Sequence, residues 1–268
     1  MKIVLAVVGA AACSAGLLAF TAESVKHRVV SLDAVPFVQT SLFAPGKSVG
    51  LGAVVSETGQ VITSYHLVRA CGAIRVARNG GTVAGAETVA FDALNDLALL
   101  KTGLVGAEPA PFRAGAPGPG RETVYFAGMQ GRSGALPARL PLYRARVAAL
   151  YGPSRDVRMF TFISGWSSED PTVQPGDSGG PVFDGAGNVL GIVAGQPDIS
   201  VPATDSVLRR TAFALNAGLV TLFLAAHDVR TVAESTESRS EIPLADRAAR
   251  STVRIWCARQ EQGARPAS

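Results

Sequence analysis

Short strand-like segments rich in apolar residues follow one another through the first half of the chain, separated by polar and glycine-containing turns. Residues 48–56 and 60–64 flank a turn that ends in Gly59, which predicts a β-hairpin. Further strand-like segments occur at 73–78, 82–83, 88–91 and 97–101. No helical periodicity interrupts them, so this half is predicted to be a compact β unit.

A stretch rich in Gly, Pro and Ala at 104–121 then marks an internal boundary. A second series of strand-like segments follows at 123–127, 140–150, 157–163, 181–183 and 188–194. The pattern therefore predicts two β-rich halves joined by a proline-rich crossing.

The spacing of apolar residues changes near the C-terminus. Apolar residues spaced as on a helix predict a helix over 211–229; they are Phe213, Leu215, Leu219, Leu222, Phe223 and Ala226. Residues 231–241 resemble a linker, 243–250 favour a short helix and 252–256 a strand. We assign residues 230–268 to a linker and C-terminal extension.

The N-terminus favours export. Residues 3–20 carry no charge, and we assign residues 1–28 to a cleaved signal peptide or a membrane anchor, without choosing between them. We expect a bacterial periplasmic or secreted location, with membrane contact only through this segment. Because Cys13 lies within it, Cys71 and Cys257 form the one possible pair of a mature domain. They are either bridged or two buried thiols.

Composition excludes several classes of protein. Hydrophobic residues make up 47% and charged residues 17%, which is incompatible with a disordered chain. The net charge of +4 is spread along the chain, so no nucleic-acid partner is expected. The histidines show no ligand-like spacing with the cysteines, and we predict neither a metal nor a cofactor.

Residues 175–181, Pro-Gly-Asp-Ser-Gly-Gly-Pro, are the sharpest local motif. Glycines around Ser178 let a substrate approach the backbone, and successive N–H groups can face one oxyanion. The plain alternative is a glycine turn between strands. A serine nucleophile needs a base held by a third group. His66 at the end of a strand and Asp96 before a buried strand are the candidates, and Asp92 is the rival carboxylate.

Two hydrolase architectures fit these residues. The Gly-x-Ser-x-Gly pattern at 176–180 also matches the nucleophile elbow of α/β-hydrolases, with His227 and either Asp205 or Asp228 as partners. An elbow leads into a helix, whereas this motif leads into an apparent β-hairpin. The order histidine, aspartate, serine is that of chymotrypsin-like proteases, which favours the second architecture.

The motifs around these residues resemble those of the trypsin/chymotrypsin-like serine peptidases, most closely of their bacterial HtrA-type branch. They are Gly-Leu-Gly-Ala-Val-Val at 50–55 running into His66, Asn-Asp-Leu-Ala-Leu-Leu-Lys at 95–101, and the serine motif followed by residues 187–193. The resemblance covers residues 48 to 228.

The resemblance implies an all-β fold of two six-stranded antiparallel barrels with a C-terminal helix. It places the protease domain at 29–228, barrel one at about 45–104, barrel two at about 122–200 and a closing helix at 211–229. His66 would be general base and acid, Asp96 its orienting carboxylate and Ser178 the nucleophile. The N–H groups of Gly176 and Ser178 would form the oxyanion hole.

The chain departs from the family in two respects. Few residues follow Asp228 in this sequence, so regulation through the PDZ domain usual in HtrA-type enzymes is not expected. Asp177 occupies a position where trypsin-like enzymes pair an aspartate with a new N-terminal amine. No activation site of that kind is present, so Asp177 needs another partner, an arginine or backbone N–H groups.

The resemblance also places a substrate pocket at Thr172, Ala194, Gly195 and Gln196. Because none of these residues is acidic, a small or medium apolar side chain is expected there rather than strictly Lys or Arg. The sequence therefore predicts a serine endopeptidase acting on protein or peptide substrates, with a role in envelope quality control. The alternative is a catalytically silent binding or chaperone-like module on the same fold.

Overall fold

The computed structural model describes residues 37–38, 47–78, 83–120, 122–129, 141–164, 171–197, 206–234 and 242–259. The segment expected to be a signal or anchor lies outside these ranges. Within them, no helix is both long enough and apolar enough to cross a membrane.

Short strands dominate the fold. They are β1 (Phe37–Val38), β2 (Lys47–Val54), β3 (Val61–Ser64), β4 (Cys71–Arg78), β5 (Ala84–Asp92), β6 (Leu97–Thr102), β7 (Pro111–Phe112), β8 (Thr123–Ala127), β9 (Leu142–Ala149), β10 (Met159–Ser164), β11 (Pro181–Phe183), β12 (Val189–Pro197), β13 (Thr211–Asn216), β14 (Val232–Ala233) and β15 (Thr252–Arg259). The helices are α1 (Tyr65–Val68), α2 (Ser206–Arg210), α3 (Ala217–Ala226) and α4 (Leu244–Ser251).

Barrel one is a closed antiparallel barrel in the order β15-β2-β3-β6-β5-β4. Alternate residues of its strands point inward and form a closely packed apolar core, which includes Val54, Val76, Leu100 and Ile255. Closure leaves the barrel without an exposed sheet edge.

The sixth strand of barrel one comes from the far end of the sequence. β15 pairs antiparallel with both β2 and β4, with Ile255 opposite Gly50 on one side and Val76 on the other. The short helix and strand predicted at 243–250 and 252–256 are confirmed as α4 and β15. The segment assigned to an extension is thus part of the barrel wall.

A disulfide joins Cys71 at the start of β4 to Cys257 in β15, with 5.2 Å between their Cα atoms. Of the two states left open by the sequence, the structure has the bridged one. The covalent bond connects strands that are already hydrogen-bonded neighbours.

Barrel two contains β8 to β13, closed by the pairing of β11 with both β8 and β12. Its centre is aromatic, where the ring of Phe162 contacts those of both Phe126 and Phe160. The expected fold of two six-stranded antiparallel barrels with a C-terminal helix is confirmed.

The helix predicted over 211–229 is wrong in its first part. Thr211–Asn216 form β13, which pairs with β10 and β12, and the helix α3 begins only at Ala217. The strand is buried on both faces from Thr211 to Leu215, so Ala212 to Leu215 read as a continuous apolar run. Such a run does not distinguish a core strand from a buried helix.

Side chains from both barrels meet in a third apolar cluster between them. Ile62, Leu97 and Leu99 of barrel one pack there with Phe183 and Ile192 of barrel two. This contact fixes the two barrels face to face and determines where residues at the ends of their strands meet.

Candidate active site

His66 and Asp96 are hydrogen-bonded at the edge of barrel one. His66 is the second residue of α1, which follows directly on β3, and Asp96 directly precedes β6, the neighbour of β3. The distance from His66 Nδ1 to Asp96 Oδ2 is 2.7 Å, and the His66 N–H donates to Oδ1 at 2.8 Å. The side chains are only 6% and 10% exposed, so solvent screens this interaction weakly.

The backbone of Asp96 is held in a strained conformation. Its φ of +54° lies in the left-handed region, which aspartate tolerates better than most residues. Its carbonyl oxygen accepts the N–H of Tyr65 at 3.0 Å. Both main chain and side chain of Asp96 thus contact α1, and strain of this kind persists only where the surroundings impose it.

The rival carboxylate, Asp92, has a different role. Its Oδ1 accepts the N–H groups of Leu94 and Asn95 at 3.0 and 3.1 Å, and its Oδ2 accepts the Asn95 amide. Burial opposes ionisation, but these hydrogen bonds and the charge of Arg158 leave the pKa of Asp92 below its ordinary value. Asp92 therefore shapes the turn, and Asp96 contacts the histidine.

The turn that carries Ser178 packs directly on the strands leading to His66. Leu51 of β2 donates its N–H to the Ser178 carbonyl at 3.0 Å. At Gly179, with φ of +79°, an added Cβ would collide with the Leu51 carbonyl oxygen, Thr63 Oγ1 and the Ser64 nitrogen. Ser64 is the last residue of β3, two positions before His66, so the serine turn of barrel two lies against the histidine segment of barrel one.

The backbone N–H groups of the turn fall into two sets. Those of Asp177, Gly179 and Gly180 donate to carbonyl oxygens at 2.9 to 3.1 Å. For Gly176 and Ser178, the described part of the chain supplies no acceptor to the N–H group. These are the two donors predicted for an oxyanion hole, and Gly176 has φ of +105°.

Asp177 is fully buried beneath the same turn. Its carboxylate accepts the N–H of Met129 at 2.6 Å and that of Gln174 at 2.8 Å. Desolvation raises the pKa of Asp177 to about 7, although the two backbone hydrogen bonds act in the opposite direction. The sequence left either an arginine or backbone N–H groups as partners of Asp177. Among the described residues, the partners are backbone N–H groups.

The nucleophile-elbow alternative disagrees with the local structure. The serine turn leads into strand β11 rather than into a helix. His227 caps the C-terminus of α3, where it contacts Phe223, and Asp228 follows it in the exposed turn. Asp205 lies outside the described residues.

The residues expected to line a substrate pocket lie on two segments of barrel two. Ala194, Gly195 and Gln196 belong to β12, where Gly195 follows a register shift against β13 and Gln196 pairs with Val38 of β1. Thr172 lies just before the serine turn, and its hydroxyl accepts the side-chain amide of Gln174. The pocket itself stays a prediction.

Sequence reasoning missed several residues that hold the site in place. Met129 and Gln174 contact Asp177 only through backbone N–H groups, which leave no trace in residue type. Leu51 acts through its N–H and its carbonyl oxygen, the latter accepting the Thr63 hydroxyl at 2.7 Å. A signal did exist for Asn95, because it directly precedes Asp96 within the quoted motif.

One antiparallel barrel carries a histidine–aspartate pair, and the other carries a glycine-flanked serine. This arrangement defines a chymotrypsin-like serine peptidase fold. A trypsin-like peptidase domain model matches residues 50–192, which is more than half of the sequence. The chain belongs to the trypsin-like peptidase family.

Individual relatives agree with this membership. The chain is 33% identical over 217 residues to the uncharacterized protein y4bJ of Sinorhizobium fredii, which covers 78% of this chain and 32% of that protein. It is 29% identical over 143 residues to a probable periplasmic serine endoprotease, DegP-like, of Chlamydia trachomatis, which covers 53% and 27%. The chain therefore spans about a third or less of the length of these relatives.

A solved structure has the same fold. The inactive form of the Rv3671c protease of Mycobacterium tuberculosis aligns with a TM-score of 0.50 and 26% identity. The alignment covers 68% of this chain and 88% of that chain.

Proposed function

We propose that this protein is a serine endopeptidase that hydrolyses peptide bonds through His66, Asp96 and Ser178. The observation that carries the proposal is the buried 2.7 Å hydrogen bond between His66 and Asp96, beside the turn that presents Ser178. Burying a carboxylate beside an imidazole has a desolvation cost that their hydrogen bonds must offset, and orienting a general base is the role that such a pair serves in serine hydrolases.

In the proposed reaction, Ser178 Oγ attacks the carbonyl carbon of the scissile peptide bond while His66 Nε2 accepts its proton. The Asp96 carboxylate holds the imidazole with its other proton on Nδ1 and stabilises the imidazolium. The N–H groups of Gly176 and Ser178 bind the oxyanion that forms on the carbonyl oxygen.

Collapse of this intermediate breaks the C–N bond, and the imidazolium gives its proton to the leaving amine. An acyl-enzyme ester on Ser178 remains. His66 then deprotonates a water molecule, which attacks the ester carbonyl, and return of the proton to Oγ releases the new carboxylate product. The protons balance with the substrate and one water molecule: the serine proton passes to the amine product, and a proton of the water restores Ser178 Oγ.

The location of the substrate is the second part of the proposal. The DegP-like relative carries the name of a periplasmic endoprotease, and a disulfide agrees with an oxidising compartment. We therefore place the activity in the cell envelope or outside the cell, on protein or peptide substrates, with quality control as the expected role.

A fluorophosphonate probe tests the proposal, because it forms a stable adduct only with an activated serine. Intact-protein and peptide mass spectrometry of the full chain should show one adduct, on Ser178. The adduct should be absent from Ser178→Ala and strongly reduced in His66→Ala and Asp96→Asn. Ser154→Ala, an exposed serine of barrel two, is the matched control and should label like the wild type.

The competing function is a catalytically silent binding module. Folded wild-type protein that gives no adduct, with circular dichroism and unfolding behaviour equal to that of the variants, would favour this module. An adduct on a different serine would contradict the assignment of Ser178 while keeping the hydrolase class.

A further inference from the structure

A polar bridge crosses from barrel two to the turn that carries Asp96. Arg158, which directly precedes β10, donates from Nη1 to the side-chain carbonyl oxygen of Asn95 at 2.7 Å. Asn95 precedes Asp96 in the sequence. The two ends of this contact are 63 residues apart and belong to different barrels.

The guanidinium of Arg158 is fixed from its other side by Asp156. Its Nε and Nη2 donate to the two oxygens of that carboxylate at 2.9 and 2.7 Å, a bidentate arrangement. The hydrogen bond from Arg158 holds the pKa of Asp156 below its ordinary value, so this carboxylate stays ionised. The remaining donor, Nη1, is thereby aimed at Asn95.

The backbone around Arg158 is anchored as well. Asn216, the residue before α3, donates its N–H to the Arg158 carbonyl and its side-chain amide to the Val157 carbonyl, both at 2.8 Å. Arg158 is therefore attached to the frame of barrel two by both its main chain and its side chain.

Asn95 transmits this attachment to the active site. Its side-chain amide donates to Asp92, whose other oxygen accepts the N–H of Asn95 itself, so the residue has little freedom to rotate. The next residue, Asp96, has the strained φ of +54° and directs its carboxylate to His66. A strained conformation relaxes when the contacts that impose it are removed.

We propose that Arg158 is a positioning residue for catalysis, which acts through Asn95 to hold Asp96 in the conformation that orients His66. The bridge makes the orientation of the base on barrel one depend on contact with barrel two, the barrel that carries Ser178. This inference rests on the proposed function, since it assigns a role in the same reaction.

The test compares Arg158→Gln, Arg158→Lys and Asn95→Ala with a matched control, Arg113→Gln. Arg113 also pairs with two carboxylates, Glu122 and Asp184, but its contacts lie within the crossing segment and barrel two. Its loss should lower stability without reaching the histidine. Glutamine at position 158 is too short to span Asp156 and Asn95 together, and lysine keeps the charge but not the fork.

The first readout is the rate of fluorophosphonate labelling at Ser178 as a function of pH. We expect about a tenfold lower plateau for Arg158→Gln, because small misplacements of catalytic groups have effects of this size. The shape of the profile should also differ from that of the wild type, because a poorly oriented imidazole accepts the Ser178 proton less efficiently. The double variant Arg158→Gln/Asn95→Ala should be no slower than the slower single variant, because both act through one contact.

Measurements at different salt concentrations distinguish a positioning role of Arg158 from an effect of its positive charge alone. If the labelling rate fell only because the positive charge was removed, Arg158→Lys would label at the wild-type rate. The difference in rate between Arg158→Gln and the wild type would then also become smaller at high salt. The positioning role predicts that Arg158→Lys stays impaired and that the difference from wild type persists at high salt.

The second readout does not depend on activity. In proton NMR spectra, the far-downfield resonance of the His66 Nδ1 proton should be sharp in the wild type and in Arg113→Gln, and broadened by exchange in Arg158→Gln. If the wild type shows no label at Ser178, the proposed function fails, while this resonance still tests the bridge. Unchanged labelling, pH profile and resonance in Arg158→Gln, or equal changes in Arg113→Gln, would overturn the inference.

Discussion

The carboxylate of Asp177 accepts a hydrogen bond from the backbone N–H of Met129, with 2.6 Å between Oδ1 and the amide nitrogen. A second N–H, that of Gln174, donates to Oδ2 at 2.8 Å. The residues that flank Asp177, Gly176 and Ser178, carry the proposed oxyanion donors. A buried acidic group therefore supports the serine turn through two backbone amides, one from Met129 on a distant segment and one from Gln174 at the start of the same turn.

The pH dependence of stability should reveal this group. With the pKa of Asp177 raised from 3.8 to about 7, the native state keeps a proton that the unfolded chain loses at lower pH. The free energy of unfolding should accordingly fall as pH rises from about 4 to about 7. Asp177→Asn has no such titrating group, so its free energy of unfolding should fall less than that of the wild type between about pH 4 and about pH 7.

Chemical denaturation at a series of pH values measures the effect. Glu57→Gln, which removes an exposed carboxyl group, is the control and should follow the wild type. A wild-type slope equal to that of Asp177→Asn would contradict the protonation assigned to Asp177.

Gly179→Ala tests the close contact between the serine turn and the histidine segment. The new Cβ has no room against the Leu51 carbonyl and Thr63, and φ of +79° disfavours alanine. We expect a loss of about 1–3 kcal/mol in the free energy of unfolding and a fluorophosphonate labelling rate reduced more than about tenfold. Gly185→Ala, in the next turn, has open space around its Cβ and should match the wild type. Normal labelling of Gly179→Ala would show that the turn tolerates displacement.

The disulfide should contribute to stability because it bridges residues 186 positions apart. Cys71→Ser/Cys257→Ser should lower the free energy of unfolding by about 2–5 kcal/mol. Denaturation with and without reductant checks this, since reductant should destabilise the wild type and leave the double variant unchanged. Alkylation of both thiols in native, unreduced protein would contradict the bridge.

Cleavage of a peptide library tests the pocket prediction. Thr172, Ala194, Gly195 and Gln196 carry no formal charge, so cleavage after small or medium apolar residues is expected. Ala194→Asp should shift cleavage toward Lys and Arg if Ala194 lines the pocket. Strict cleavage after basic residues by the wild type would exclude the prediction.

The sequence was most informative where a short segment both forms a strand and ends in a reactive side chain. The strand-like segment at 60–64, after a turn that ends in Gly59, predicts β3, and His66 follows that strand as the second residue of α1. Asp96 was preferred over Asp92 on position alone, and the hydrogen bonds agree with that preference.

The pairing of strands that are distant in the sequence could not be predicted from local patterns. β13 reads as a helix because both its faces are buried, and only its neighbours β10 and β12 make it a strand. Likewise, the partners of Asp177 are amides that any residue could supply. Arg158 gave no signal because its role depends on the distance between two barrels.

The placement of β15 has a consequence for how the protein is made. Five strands of barrel one are synthesised early, but the gap between β2 and β4 is filled only after all of barrel two has left the ribosome. Until then both edges are open, and open edges recruit other strands. A growing chain would therefore hold an incomplete first barrel, whose open edges need protection until β15 pairs with β2 and β4.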